Sequence, residues 1–385
     1  MVVSTLEHTQ ASLEQLDELL RLIGVTLEIT ATQRAAAEQH YLAIAKWLGG
    51  EEGAPFRPYE PQIYPQGSLR LGTTVKPLAD GEYDLDIVYE LQVDYTAIPK
   101  PVVLLDMIEL RLRQHGTYRN MVERKNRCVR VNYWGQFHLD ILPAALDRVC
   151  GGTCVRVPDR STEWWKPSNP RGYADYFERR ALTPASFAEG SVKASVEQLP
   201  DHLPHEAKTT LQKEVQLIKR LRDVTFAGRC ELAPISIVLT TLAADNYRGE
   251  RSVARAIGQT LASIEAQIPA AGRLYVFNPS NPEEDLSERW DKQPETYVAF
   301  CEAVRGWRRA WAALLDVRGG IDRVVAELER LFGPAPVRRA IEEQVRELES
   351  ARRAGTLGVD RASGLITTSA GASHAAVRPN TFYGS

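Results

Sequence analysis

Gln66-Gly67-Ser68-Leu69-Arg70-Leu71-Gly72-Thr73-Thr74 and, soon after, Tyr83-Asp84-Leu85-Asp86-Ile87-Val88-Tyr89-Glu90-Leu91 are the stretch from which the rest of the chain is read. The Gly-Ser pair follows a short extended piece, Gln62-Ile63-Tyr64, and opens a helix whose first N–H groups lack intrahelical acceptors and can hold a phosphate. Taken alone, Ser68 is equally well an ordinary N-cap. In residues 83–91, Leu85 and Ile87 point one way while Asp84, Asp86, Val88 and Glu90 point the other, as the period of a strand requires. The two aspartates therefore share a face. Ionised and about 4 Å apart, they repel by roughly 4 kcal/mol at an effective dielectric of about 20. A cation between them is expected, and Mg²⁺ is the ion that shares its shell between carboxylates and substrate phosphates. A solvated strand face is the plain alternative.

Asp140 tips this balance. It alternates with Phe137, Leu139 and Ile141 in a strand over residues 137–142, which follows another over 127–133 through Trp134-Gly135-Gln136. Such a strand is central in a sheet, where an unpaired carboxylate is costly. Three convergent carboxylates complete a site for two Mg²⁺ ions, the arrangement that steadies both the attacking and the leaving oxygen in phosphoryl displacement.

A capping box at Thr30 and Gln33 starts a long early helix to about residue 48, and residues 101–114 form another with Leu104, Leu105, Ile108 and Leu112 as its stripe. From 155 to 201 the pattern weakens toward irregular surface backbone. Beyond it the chain is helical over residues 208–223, 232–244, 294–317, 321–332 and 337–353. The expected fold class is α+β: residues 1–200 a mixed-sheet catalytic lobe with its long N-terminal helix, residues 201–355 a helical lobe with a cleft between, and 356–385 a mobile tail.

The 385 residues are 44% hydrophobic and 25% charged, which excludes a disordered or fibrous chain, and the formal net charge of −3 argues against wholesale neutralisation of a nucleic-acid backbone. The longest apolar stretch, residues 232–244, is too short and polar to span a bilayer. With no signal segment at the N-terminus, a cytoplasmic location is expected. Five scattered cysteines suit reduced thiols; Cys150 and Cys154, the one close pair, lack the second Cys/His pair of a zinc finger.

Gly67-Ser68-Leu69-Arg70-Leu71-Gly72-Thr73-Thr74, Asp84-Leu85-Asp86 and Asp140 together resemble the GSxxxGT…DxD…D signature of the bacterial cGAS-like CD-NTases, in the polymerase-β-like nucleotidyltransferase superfamily. Ser168-Asn169-Pro170 resembles the family's segment between the lobes, and the run from Val276-Phe277-Asn278-Pro279 through Asn281-Pro282-Glu283-Glu284-Asp285 to Trp290 resembles its Asn-Pro stretch. The resemblance spans about residues 63–311. It implies a two-lobed polymerase-β-like fold and an enzyme that joins nucleoside triphosphates, ATP among them, into a cyclic di- or trinucleotide that switches on an effector in antiphage defence. On that reading Gly67 and Ser68, with Gln66 nearby, hold donor phosphates, Asp84 and Asp86 bind both Mg²⁺ ions, and Asp140 ligates one and helps to activate the acceptor hydroxyl. The resemblance also places Lys219 and Ser236 on the donor triphosphate, though a solvated lysine and a serine bonded back to its own helix are equally open. No zinc insert or basic surface for long DNA is visible. Thr381-Phe382-Tyr383-Gly384-Ser385 resembles tails conjugated by a companion ubiquitin-transfer-like enzyme, or is a frayed end. The rivals are a transferase that makes linear products or tags an RNA or protein, and a non-catalytic nucleotide-binding module.

Overall fold

A computed structural model describes residues 2–50, 56–78, 82–182, 196–201, 203–315, 321–360, 366–367 and 374–376. Two helices come first, α1 (Val2–Leu27) and α2 (Ala31–Ala45). Thr30 caps α2 in the expected box: its hydroxyl accepts from the Gln33 N–H at 3.2 Å while the Gln33 side chain accepts from the Thr30 N–H at 2.9 Å. Strand β1 (Gln62–Gln66) then leads through a single helical turn, α3 (Gly67–Arg70), to β2 (Tyr83–Asp94). Helix α4 (Val102–Gln114), β3 (Val122–Arg124), β4 (Val129–Tyr133) and β5 (Phe137–Leu146) follow, then β6 (Val155–Asp159) and β7 (Trp164–Ser168).

These strands form one seven-stranded sheet in the order β1-β2-β5-β4-β3, with β6 attached to β5 and β7 to β6. The sheet is mixed: β2 and β5 pair in parallel, whereas β1 and β4 run antiparallel to them. One face is packed. Leu85, Ile87, Leu139 and Ile141 are fully buried in a cluster with Tyr41 and Ile44 of α2 and Leu105, Ile108 and Leu112 of α4. Alternation along the strands leaves Asp84, Asp86 and Asp140 on the opposite face.

A second core is helical. It gathers α5 (Pro170–Ala181), α6 (Thr210–Thr225), α7 (Ser236–Asn246) and α8 (Val253–Gln267). Beyond the hairpin of β8 (Phe277–Asn278) and β9 (Asn281–Asp285) come α9 (Arg289–Lys292), α10 (Pro294–Leu315), α11 (Ile321–Phe332) and α12 (Pro334–Arg353). Trp290, Trp307 and Trp311 supply its largest buried rings. Helices α1 and α5 contribute to this core through Leu20, Ile23, Tyr173 and Phe177, although they lie within residues 1–200.

Several expectations need correction. The stretch after Val155 is not irregular surface: it forms β6, β7 and α5, disguised by Pro158 and Pro167, which sit where β6 has left β5 and on the outermost strand. Helix α7 starts at Ser236 rather than residue 232, because Pro234 holds Ala233 extended. Cys150 and Cys154 are joined in a disulfide, not reduced: Gly151 and Gly152, at φ 76° and 59°, turn the chain back on itself. Cys128, Cys230 and Cys301 are free. Within the expected mobile tail, β10 (Gly358–Asp360), β11 (Ile366–Thr367) and β12 (His374–Ala376) form a small sheet. The terminal Thr381-Phe382-Tyr383-Gly384-Ser385 lies outside the described residues, among which no helix is long and apolar enough to cross a membrane.

Candidate active site

Strand register sets four polar residues in one row across the sheet. Gln66 of β1 is opposite Asp86 of β2, Asp86 is opposite Asp140 of β5, and Asp140 is opposite Arg130 of β4. Asp84, two residues before Asp86, shares their face. Burial, followed by the neighbouring Asp140 and Asp84 charges, pushes the Asp86 carboxyl up to about 7. Asp84 is raised too, mainly by burial, with Arg130 opposing. The protein's own groups therefore leave Asp86 short of positive charge. Arg130 makes up part of the deficit: its guanidinium donates through Nε and NH2 to both Asp140 oxygens at 2.7 Å and through NH2 to Asp84 Oδ1 at 3.2 Å.

Among the described residues no three His, Cys, Asp or Glu side chains already converge as metal ligands, and Asp140 is held by Arg130. The donor chemistry nevertheless fits a hard divalent ion. All three groups are carboxylates, the oxygen donors that a hard divalent ion prefers, and burial together with the Asp140 charge drives the adjacent Cys128 thiol up.

Gly67 faces Asp86 across the turn at φ 63°, and a Cβ there would lie 2.4 Å from Asp86 Oδ2. Glycine is what lets the Gly67-Ser68 turn close on the carboxylate. Gly67, Ser68, Asp84, Asp86, Lys219 and Ser236 line one cavity of about 310 Å³, which unites most of the residues expected from the sequence. Gln66 lines the adjoining cavity, and Asp140 lines neither.

Lys219 is no solvated surface charge. It is 7% exposed, donates to the Thr73 carbonyl at 3.1 Å and lies near the Thr73 hydroxyl, and burial, with Arg222 nearby, lowers its ammonium to about 8. The Ser236 hydroxyl, at the first turn of α7, accepts from Arg222 NH1. Arg222, which the sequence reading did not single out, also lines the cavity; its place three residues after Lys219, on the same helical face, is the signal that identifies it.

Helix α6 grips the loop after α3 along its length. Gln212 Nε2 donates to the Leu71 carbonyl at 3.0 Å, Gln216 Nε2 to Thr74 at 2.7 Å, Lys219 Nζ to Thr73, and Arg220 NH2 to Lys76 at 2.9 Å. The spacing is that of one helix face. Gln216 also donates to Glu28 Oε1 at 3.1 Å, which in turn accepts from Lys208 at 2.6 Å.

A second cavity, of about 480 Å³, shares Gly67 and Asp86 with the first and runs between the two cores. Its wall is where the two Asn-Pro segments meet. Asn169 caps α5 by accepting from the Gly172 N–H at 3.0 Å and donates to the Ser280 carbonyl at 2.9 Å. Asn281 returns a bond to the Ser168 carbonyl at 3.3 Å, and the Ser168 hydroxyl donates to Glu284 at 3.1 Å.

Comparison with known proteins agrees with this architecture. The Second Messenger Oligonucleotide or Dinucleotide Synthetase domain family matches residues 14–180. A c-di-GMP synthase of Roseivirga ehrenbergii is 32% identical over 377 residues, covering 96% of this chain and 97% of that protein. The chain belongs to the bacterial cGAS-like CD-NTases. Another relative of this CD-NTase is the cyclic dinucleotide synthase CdnG of Bradyrhizobium diazoefficiens, 26% identical over 382 residues, 93% of this chain and 90% of that protein. The solved structure of the Bradyrhizobium diazoefficiens CD-NTase CdnG in complex with GTP superposes with a TM-score of 0.70 at 23% identity, covering 86% of this chain and 99% of that one. The fold is the polymerase-β-like nucleotidyltransferase fold, and the activity of this CD-NTase is nucleotidyl transfer that builds a cyclic oligonucleotide.

Proposed function

We propose that this CD-NTase is a Mg²⁺-dependent cyclic dinucleotide synthase that uses GTP as a substrate. The in-register row Gln66, Asp86, Asp140, with Asp84 and Asp86 lining one cavity together with Gly67 and Ser68, is the observation that carries the reading. Guanine as the base is supported by the names of the relatives, one a c-di-GMP synthase and the other solved with GTP.

Gly67, Ser68, Lys219 and Ser236 would hold the donor triphosphate in the smaller cavity, with Gln66 at its edge. The acceptor nucleotide would occupy the larger cavity, whose boundary with the smaller one is shared by Gly67, Leu71, Asp86 and Ile237. Asp84, Asp86 and Asp140 would hold the two Mg²⁺ ions, which when bound lower the charge on the reacting phosphate and its leaving group. The acceptor ribose hydroxyl attacks the donor α-phosphorus, the bond to the bridging oxygen breaks and pyrophosphate departs. Asp140, once released by Arg130, would help to activate the acceptor hydroxyl by taking its proton. A second transfer, with the roles of the two nucleotides exchanged, closes the ring. Positioning and charge compensation do most of this work.

The product would act on an effector in antiphage defence, with the C-terminal tail available to a companion ubiquitin-transfer-like enzyme, and the protein would work in the cytoplasm. Incubation with each labelled nucleoside triphosphate, singly and in pairs, with Mg²⁺ or without, tests the proposal. GTP with Mg²⁺ should yield a phosphatase-resistant product that is lost in the Asp84→Ala, Asp86→Ala double variant. Full synthesis by that variant, or by the wild type without divalent ions, would refute the site.

A further inference from the structure

Arg130 stands in the row of catalytic carboxylates, yet the mechanism above gives it no part beyond releasing Asp140. It is paired with Asp140 across β4 and β5, and its fork engages both Asp140 oxygens at 2.7 Å. That is the bidentate geometry in which a guanidinium binds a carboxylate most specifically. The same NH2 reaches Asp84 Oδ1 at 3.2 Å, so one side chain ties together carboxylates from β5 and β2. Asp140 is only 14% exposed and Arg130 20%, which weakens solvent screening of the pair.

We infer that Arg130 is the resident counter-cation of the acidic site, and that a divalent ion enters by displacing it from Asp84 and Asp140. The inference rests on the reading that these aspartates hold the ions. A divalent ion on the same oxygens sits within a few ångströms of a positive charge it cannot share space with. The protein alone is therefore a poor binder of such ions. A nucleoside triphosphate, which carries several negative charges and its own ion, supplies the compensation that releases Arg130. Uptake of metal is thereby tied to uptake of substrate, and Arg130 acts as a positioning residue through the carboxylates it restrains.

Binding of Mn²⁺ to the nucleotide-free, full-length protein, read from the electron paramagnetic resonance signal of the unbound ion, tests this. Arg130→Met should bind Mn²⁺ about tenfold more tightly than wild type, because removing a cation next to the site favours another. A purely structural role would move affinity the opposite way, since a disordered site binds less. Arg130→Gln, which keeps a hydrogen-bond donor without the charge, should show the same direction and covers the case in which the methionine variant fails to fold. Adding a non-hydrolysable GTP analogue should shrink the gap between variant and wild type. Equal or weaker Mn²⁺ binding by folded Arg130→Met or Arg130→Gln overturns the inference. Asp86→Asn separates the two levels. If it binds Mn²⁺ as the wild type does with the analogue present, the metal-site reading itself falls; if it loses binding while the Arg130 variants are unchanged, only the role of Arg130 falls.

Discussion

Replacing Gly67 by alanine should disable the enzyme while leaving it folded, and Gly135→Ala provides the control. Both glycines have positive φ, 63° and 76°, so each alanine pays a left-handed backbone penalty of about 1–2 kcal/mol. Their surroundings differ. Nothing lies within 4 Å of a Cβ at Gly135, in the turn between β4 and β5, whereas a Cβ at Gly67 would stand 2.4 Å from Asp86 Oδ2. Ordinary van der Waals contact begins at 3.4 Å, so the carboxylate or the turn must retreat by about 1 Å. A displacement of that size at a reacting centre costs about 100-fold in rate. Thermal unfolding should thus register a comparable, modest loss in both variants, while initial rates of pyrophosphate release from GTP should fall about 100-fold in Gly67→Ala alone. Rates for the two variants within threefold of one another would show that the turn does not hold Asp86 in place.

Glu214 of α6 is fully buried, and burial, opposed only in part by the Thr260 hydroxyl beside it, raises it from 4.5 to about 8. Between those values the native state retains a proton that the unfolded chain has released. Its contribution is complete below about pH 4.5 and is lost as pH rises through about 8, with a slope of up to ~1.4 kcal/mol per pH unit. Denaturant titrations should show a flatter pH profile for Glu214→Gln, and parallel profiles would contradict the assignment. Gln216→Leu leaves the Thr74 carbonyl and Glu28 short of a donor at a cost of about 1–3 kcal/mol, and should raise KM for the donor nucleotide more than it lowers kcat; an unchanged KM would remove Gln216 from the support of the phosphate loop. Asn169→Ala removes a helix cap and the link to Ser280, and should destabilise by about 1–2 kcal/mol in chemical unfolding; a value near zero would mean that the junction of the two Asn-Pro segments adds nothing to stability.

The carboxylates were legible because strand alternation is a local property: Leu85 and Ile87 had to face the core, so Asp84 and Asp86 had to face away. Asp140 was legible for the same reason. Arg130 was not, since its importance arises from the register of β4 against β5, a long-range pairing that alternation alone does not specify. Strands β6 and β7 were hidden by prolines that are harmless only because of where those strands sit in the sheet. The allegiance of α1 to the helical core is equally a tertiary matter: its leucines could have packed on either lobe, and only the assembled fold shows Leu20 and Ile23 beside the helices that follow residue 210. Lys219 and Ser236 depended on resemblance, because neither spacing nor composition distinguishes a buried lysine from a solvated one on an amphipathic helix.

The grip of α6 on residues 71–76 has a mechanical consequence. The segment beside the proposed triphosphate site is wired to the helical half of the molecule, whereas Asp84, Asp86 and Asp140 ride on the sheet. Any rocking of one half against the other therefore changes the gap between the phosphates and the acidic groups. Closing that gap would be a way to start a turnover, and widening it a way to let the finished ring escape.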